Sequence, residues 1–374
     1  MLWAVLVGAL FKYVLTEGIA RFQLATGKSI LVGAVERFGR LPLAIFLLGY
    51  VVPFGWVVGS ALVTACGVAA QSLLPLPLEP DRAILVHAVV HSAIGLALAR
   101  FSNFRVFERT MSACVLVMFV TVLALAVRLA PPVPELLRGL LVPLVPEASS
   151  GGTSWTLALI GGVGGTLTIL CYGDWIREHG RTGPAELRTC RIDLAVGYAV
   201  TAVFGLAMVV LGSAVAAEGT GARMLARLTE RVTAELGPLA GHAFAVGAWA
   251  AIFSSLLGVW QAVPRLFAEL TYELVPGRRG APAANLERTP AYVAYQVGLA
   301  VLPIAGLAIR GGEFRLVQKT YALTGAVFLP LLAAALLVLN GSRERGAARN
   351  GPWTLLALLA TLGFFVIAAW IGAT

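Results

Sequence analysis

The chain has 374 residues, of which 59% are hydrophobic and only 13% charged, and its mean hydropathy is +0.86. A soluble domain is about a quarter charged, so these values exclude a water-soluble globular protein and describe an all-α polytopic membrane protein, one transmembrane unit over 1–374. The net charge of +9 is spread through short connections rather than gathered in one patch, which is a signal of membrane topology and not the footprint of a nucleic-acid binder.

Apolar runs predict ten spans, near 2–24, 41–74, 83–99, 108–129, 154–175, 192–217, 239–264, 290–309, 316–340 and 353–372. The first carries Lys12 and Glu17 within reach of the bilayer. Ionisable groups there are functional candidates by default, although snorkelling of Lys12 to one interface and of Glu17 and Arg21 to the other accounts for them equally. The second run, 34 residues long, would make about 51 Å of straight helix, and Pro53 and Gly55 predict a kink in it. The third places His87 and His91 at i and i+4, on one face. That spacing suits a proton relay, and it suits two buried, satisfied histidines just as well.

Residues 130–153 read as a Pro-rich loop, and 176–191, with Arg177, Arg181, Arg188 and Arg191, as a basic one. Between 221 and 236 the residues Leu225, Leu228, Val232 and Leu236 fall at helical spacing, which predicts a short amphipathic helix lying at the interface. Turn-rich basic connections follow at 276–280 and at Arg343, Arg345 and Arg349. The four cysteines, at 66, 114, 171 and 190, have neither metal-ligand nor disulfide spacing, and Cys66 and Cys114 read as small buried hydrophobes.

The fifth span differs in kind. From Gly161 it runs Gly-Gly-Val-Gly-Gly-Thr-Leu-Thr-Ile-Leu-Cys-Tyr-Gly-Asp-Trp, so a carboxylate, Asp174, arrives before a bilayer's width of about 20 apolar residues is complete. Non-helical backbone at membrane depth survives only where protein or a water-filled cavity satisfies it, and Gly-interrupted spans point to transporter binding sites. One reading is a discontinuous helix lining a substrate site. The other is a small-xxx-small packing face at Gly161 and Gly165, with Asp174 marking the end of an ordinary span.

Orientation follows from the connections. Those after spans one, three, five, seven and nine hold 17 Lys and Arg, and the alternate ones hold 9. The richer set is therefore cytoplasmic, which puts Met1 on the outer face directly at a span. The simplest expectation is that a preceding span is missing.

Several stretches resemble the natural resistance-associated macrophage protein (Nramp) family of divalent-metal transporters, in particular a divergent bacterial branch that includes magnesium transporters. Met1-Leu2-Trp3 through Ala25-Thr26-Gly27-Lys28 is similar to that family's second helix, Ser254-Ser255-Leu256-Leu257-Gly258 to its eighth, and Gln318 through Phe328-Leu329-Pro330-Leu331-Leu332 to its tenth. Residues 164–175 fall where the family's broken sixth helix lies. The resemblance implies a LeuT-like inverted-repeat bundle whose ten spans are family helices two to eleven, with the helix bearing the family's Asp-Pro-Gly-type metal motif absent. It also implies that Thr168 stands where the family has a metal-binding methionine, Ile169 where it has proline and Leu170 where it has histidine.

On that basis the expected function is secondary transport of a divalent cation, Mg²⁺ or Mn²⁺/Fe²⁺, by alternating access in a bacterial inner membrane. The cation is substrate, with protons as a candidate second substrate and no cofactor expected. Gly165, Thr168, Cys171, Tyr172 and Gln318 are the expected metal residues, and Asp174, His87, His91 and Glu17 the candidates for a proton or ion pathway. Hydroxyl and carbonyl oxygens suit hard cations, whereas a thioether favours softer ones. Two other readings stay open: an amino-acid or other organic-solute transporter of the same fold, and an inactive, N-terminally truncated chain. No nucleophile elbow, P-loop or metal-ligand cluster is present in the sequence, so an enzyme is not expected.

Overall fold

The computed structural model describes all residues except 102–103, 146–150, 215–221, 276–282, 311–313, 342–348 and 374. The basic turn at 276–280 and positions Arg343 and Arg345 lie outside the described residues, as does the Cys114 side chain. Among the described residues there are helices and no strands. In chain order they are α1 (Leu2–Thr26), α2 (Ile30–Phe38), α3 (Arg40–Phe46), α4 (Val52–Leu73), α5 (Pro80–Phe101), α6 (Phe104–Arg128), α7 (Val133–Leu141), α8 (Gly152–Gly162), α9 (Tyr172–Glu178), α10 (Leu187–Ala214), α11 (Ala222–Leu236), α12 (Pro238–Leu274), α13 (Pro290–Arg310), α14 (Phe314–Leu339) and α15 (Pro352–Ala373).

Each predicted span corresponds to a helix or a helix pair. Eight helical stretches of the described residues are long and apolar enough to cross a bilayer. The fourth span is bent: α6 and α7 meet at 117°. The second runs unbroken from Arg40 to Leu73, with a wider π turn at Leu47–Val51 just before Pro53. Proline has no N–H to return to the preceding turn, and an inserted π turn is a regular way of absorbing that loss.

Two helices were not anticipated. In α7, Pro132 and Pro134 flank the first turn, where proline is tolerated, and Leu136 and Leu140 pack on a core formed with Leu2, Val122, Leu125 and Leu211. This stretch is helix rather than Pro-rich loop. In α2, the Ser29 hydroxyl caps the first turn by accepting from the Val32 N–H (3.2 Å), and Ile30 and Leu31 are buried. The anticipated amphipathic helix is present as α11, whose Leu225, Leu228, Val232 and Leu236 rest on the same core as α7.

The main core is shared by α1, α4, α12 and α14, with the broken fifth span among them. Helix α1 packs against α10, and α4 against α12. What matters most for the site is that α1 runs beside α8 and α9 in the same direction. A Cβ on Gly8 would lie 2.9 Å from the Ile160 carbonyl oxygen, so only glycine admits this approach. Gly161 is pressed equally close to α14, where a Cβ would lie 2.4 Å from the Ala322 carbonyl oxygen.

Candidate functional site

The fifth span is interrupted. Helix α8 ends at Gly162, Val163 is extended (φ −66°, ψ 117°) and Gly164 is left-handed at φ +71°. Residue Thr166 leaves both helical and extended geometry (φ −109°, ψ −106°), and the chain then re-enters a tight 3₁₀ turn at Leu167–Cys171 that leads into α9. The unwound stretch is thus 163–166, within the glycine run and shorter than the run itself. A β-carbon at Gly164 would cost about 1–2 kcal/mol in this conformation, which accounts for glycine there.

Lys12 fills the gap. It is wholly buried, 0% exposed, and its Nζ donates to the carbonyls of Gly161 (2.7 Å), Val163 and Gly164 (3.5 Å). A helix C-terminus leaves unpaired carbonyls and carries partial negative charge, so an ammonium satisfies both needs. Among the described residues no carboxylate stands within ion-pair distance of Lys12. Snorkelling is therefore not what places this lysine. One turn on, Tyr198 of α10 donates its hydroxyl to Thr16 (2.8 Å), which donates to the Lys12 carbonyl (2.7 Å).

From the break a cavity of about 630 Å³ extends along the fifth span between α10 and α12. Gly164, Gly165, Thr168, Thr16, Tyr198 and Thr201 line its deeper part with oxygen atoms, and Asp174, Asp193 and Arg265 its other end. That end lies on the side where the Lys and Arg count of the connections leads one to expect the cytoplasm. Of the expected metal residues, Gly165, Thr168, Cys171 and Tyr172 line this one cavity. The Cys171 thiol donates to the Ala262 carbonyl (3.5 Å) and the Tyr172 hydroxyl to Asp193 (2.9 Å). Gln318 stands apart, donating to the Ala61 carbonyl (2.7 Å) across the α4–α14 contact.

Among the pathway candidates, only Asp174 lines the cavity. It is buried between two guanidinium groups, Arg177 on the same helix and Arg265 of α12 (3.5 Å). Arg265 also reaches Glu178 (3.2 Å) and Glu287 (3.3 Å). Glu17 bridges α1 and α10 through Arg21 (3.0 Å) and Arg191 (2.7 Å). His87 and His91 lie on α5 outside the cavity lining. His91 donates from Nδ1 to the His87 carbonyl (2.7 Å) and accepts at Nε2 from the Trp249 indole (2.8 Å), while His87 donates to the Leu74 carbonyl (3.0 Å). Arg265, Tyr198 and Thr16 were not singled out from the sequence, since each gains its place only through a neighbour on another helix.

Among the described residues, no group of three or more His, Cys, Asp and Glu side chains is arranged to hold a metal ion. The oxygen atoms that line the cavity are hydroxyls and carbonyls beside the break, and carboxylates only toward its Asp174 and Asp193 end. Two solved structures share the fold. One is a manganese transporter of Eremococcus coleocola in complex with an aromatic bis-isothiourea substituted compound (TM-score 0.64, 16% identity, 99% of this chain and 78% of that one). The other is MhsT in complex with L-phenylalanine (TM-score 0.59, 16% identity, 99% of this chain and 91% of that one). Both carry the LeuT-like helical bundle. No curated protein sequence matches the chain. The family model for natural resistance-associated macrophage protein-like chains matches residues 1–373, and with the fold and the broken span in agreement, the chain belongs to the Nramp family of divalent-metal transporters.

Proposed function

We propose that this chain carries a hard divalent cation, Mg²⁺ or Mn²⁺ with weak discrimination between them, by alternating access, and that the ion binds in the cavity beside Gly165 and Thr168. The observation that supports the reading is a broken span opening into an oxygen-lined cavity that continues to one end of the bundle. Mg²⁺ keeps several of its waters when bound. At about 30 Å³ per water, a six-water shell takes up about 180 Å³, so the 630 Å³ cavity accepts the ion with its shell. The thioether that would favour a softer ion is replaced by the Thr168 hydroxyl, and the sulfur among the described lining residues, Cys171, is engaged with a carbonyl. Asp174 and Asp193 stand at the other end of the cavity, each paired with arginine, so they contribute structure there more than a free negative charge.

The test uses the purified protein in liposomes, with Mg²⁺ competing against Mn²⁺ uptake. We expect Mg²⁺ to compete in modest excess, and Thr168→Met to shift preference toward Mn²⁺. Absence of competition at large Mg²⁺ excess, with Thr168→Met unchanged, removes both the ion assignment and the place of Thr168.

A further inference from the structure

The carbonyls of Gly161, Val163 and Gly164 converge on one point from the end of α8, and that point holds the Lys12 ammonium. Three carbonyl oxygens at a helix C-terminus form the type of site that coordinates a small cation, since carbonyl oxygen suits hard ions and unwound backbone with half-helix C-termini supplies it in membranes. The position of the ammonium is built rather than incidental. Gly8 lets α1 touch α8 at Ile160, and Lys12, at i+4 on the same face, is thereby aimed at the break. The left-handed φ of Gly164 turns the third carbonyl toward the same point. Its side-chain stem is buried as well, so the charge cannot leave for water by rotating about its own bonds.

We propose that this carbonyl cluster is a monovalent cation site which the chain fills with its own ammonium, and that removing the ammonium opens it to a free small cation such as Na⁺ or methylammonium. It lies on the α1 side of the break and its occupancy reads on stability, so it stands or falls independently of which ion is transported.

Lys12→Met, which keeps the length of the stem and removes the charge, is compared with the parent protein by thermal unfolding in detergent. The salts are NaCl, KCl, methylammonium chloride and choline chloride at equal ionic strength. The parent should unfold at one temperature in all four. The variant should unfold lower in choline, which is too large for the site, and Na⁺ or methylammonium should raise it saturably by about 2–3 °C. A variant lowered equally in every salt makes Lys12 a helix cap and nothing more, and overturns the proposal. So does a variant as stable as the parent in choline. If Lys12→Met yields no folded protein in choline, extraction in Na⁺ or methylammonium must recover a monodisperse sample, and failure to do so also overturns it.

Discussion

Asp174 would be a carboxylate stranded in a largely apolar setting without the two guanidinium groups beside it. Arg177 comes from the same turn, but Arg265 comes from α12 and ties that helix to α9 and, through Glu287, to the turn before α13. Removing one partner of a buried pair leaves the other charge uncompensated and costs more than the pair contributes. Asp174→Asn and Arg265→Gln should each destabilise by about 2–3 kcal/mol, and the double variant by less than their sum, with a coupling of about 1 kcal/mol or more. Unfolding curves in mixed micelles measure all four proteins, and strict additivity would show that the 3.5 Å contact does not act as a pair. The same scale shows where reading the sequence stopped. Lys12 was visible as a charge within a span, but its acceptors are backbone atoms about 150 positions away, which no residue type announces.

At the scale of elements, the packing of α8 rests on two adjacent glycines with opposite surroundings. A Cβ at Gly161 would come within 2.4 Å of the Ala322 carbonyl oxygen and 2.7 Å of the Ala326 nitrogen, both backbone atoms that cannot turn aside. At Gly162 the nearest atom would be the Ala322 Cβ at 3.6 Å, an ordinary contact. Gly161→Ala should therefore destabilise by about 1–3 kcal/mol through overpacking, while Gly162→Ala should be neutral or stabilising by up to about 1 kcal/mol from helix propensity. Thermal midpoints of the two variants decide it, and equal midpoints would mean that α8 and α14 separate readily. Both readings of the glycine run thus hold a part of the answer: Gly161 is a packing glycine, and Gly164 is a breaking one. The long spans were legible because each apolar run exceeds what a soluble core needs. Helices α2 and α7 were not, because nine residues between prolines and glycines give too few turns for a period to show.

For the molecule as a whole, the ten apolar runs and the stretches resembling helices two, eight and ten of the Nramp family were enough to anticipate the bundle and the family. The position of the break was legible too, whereas the convergence of Thr16, Tyr198 and Arg265 on it depends on helix pairing that one sequence does not reveal. Orientation remains an expectation that rests on charge, and it can be measured directly. Lys28 precedes α2 on the side with the richer Lys and Arg content, and Leu78 lies in the connection between α4 and α5 on the other; both are exposed. In intact cells a membrane-impermeant maleimide should label Leu78→Cys, and should label Lys28→Cys only after lysis. Of the four native cysteines, 66, 171 and 190 are buried, and the labelling is done in a Cys114→Ser background. The reverse labelling pattern would invert the topology and place the Asp174–Arg265 cluster outside.

The parallel course of α1 beside the fifth span has a mechanical consequence. A break in a helix usually leaves its two halves free to pivot. Here an unbroken helix touches one half through Gly8 and Ile160, the gap itself through Lys12, and the other half through Gln23, whose amide donates to the Gly173 carbonyl. That arrangement is a splint. While these three contacts hold, α8 and α9 turn together with α1 as one lever, and bending at 163–166 requires the ammonium to let go first.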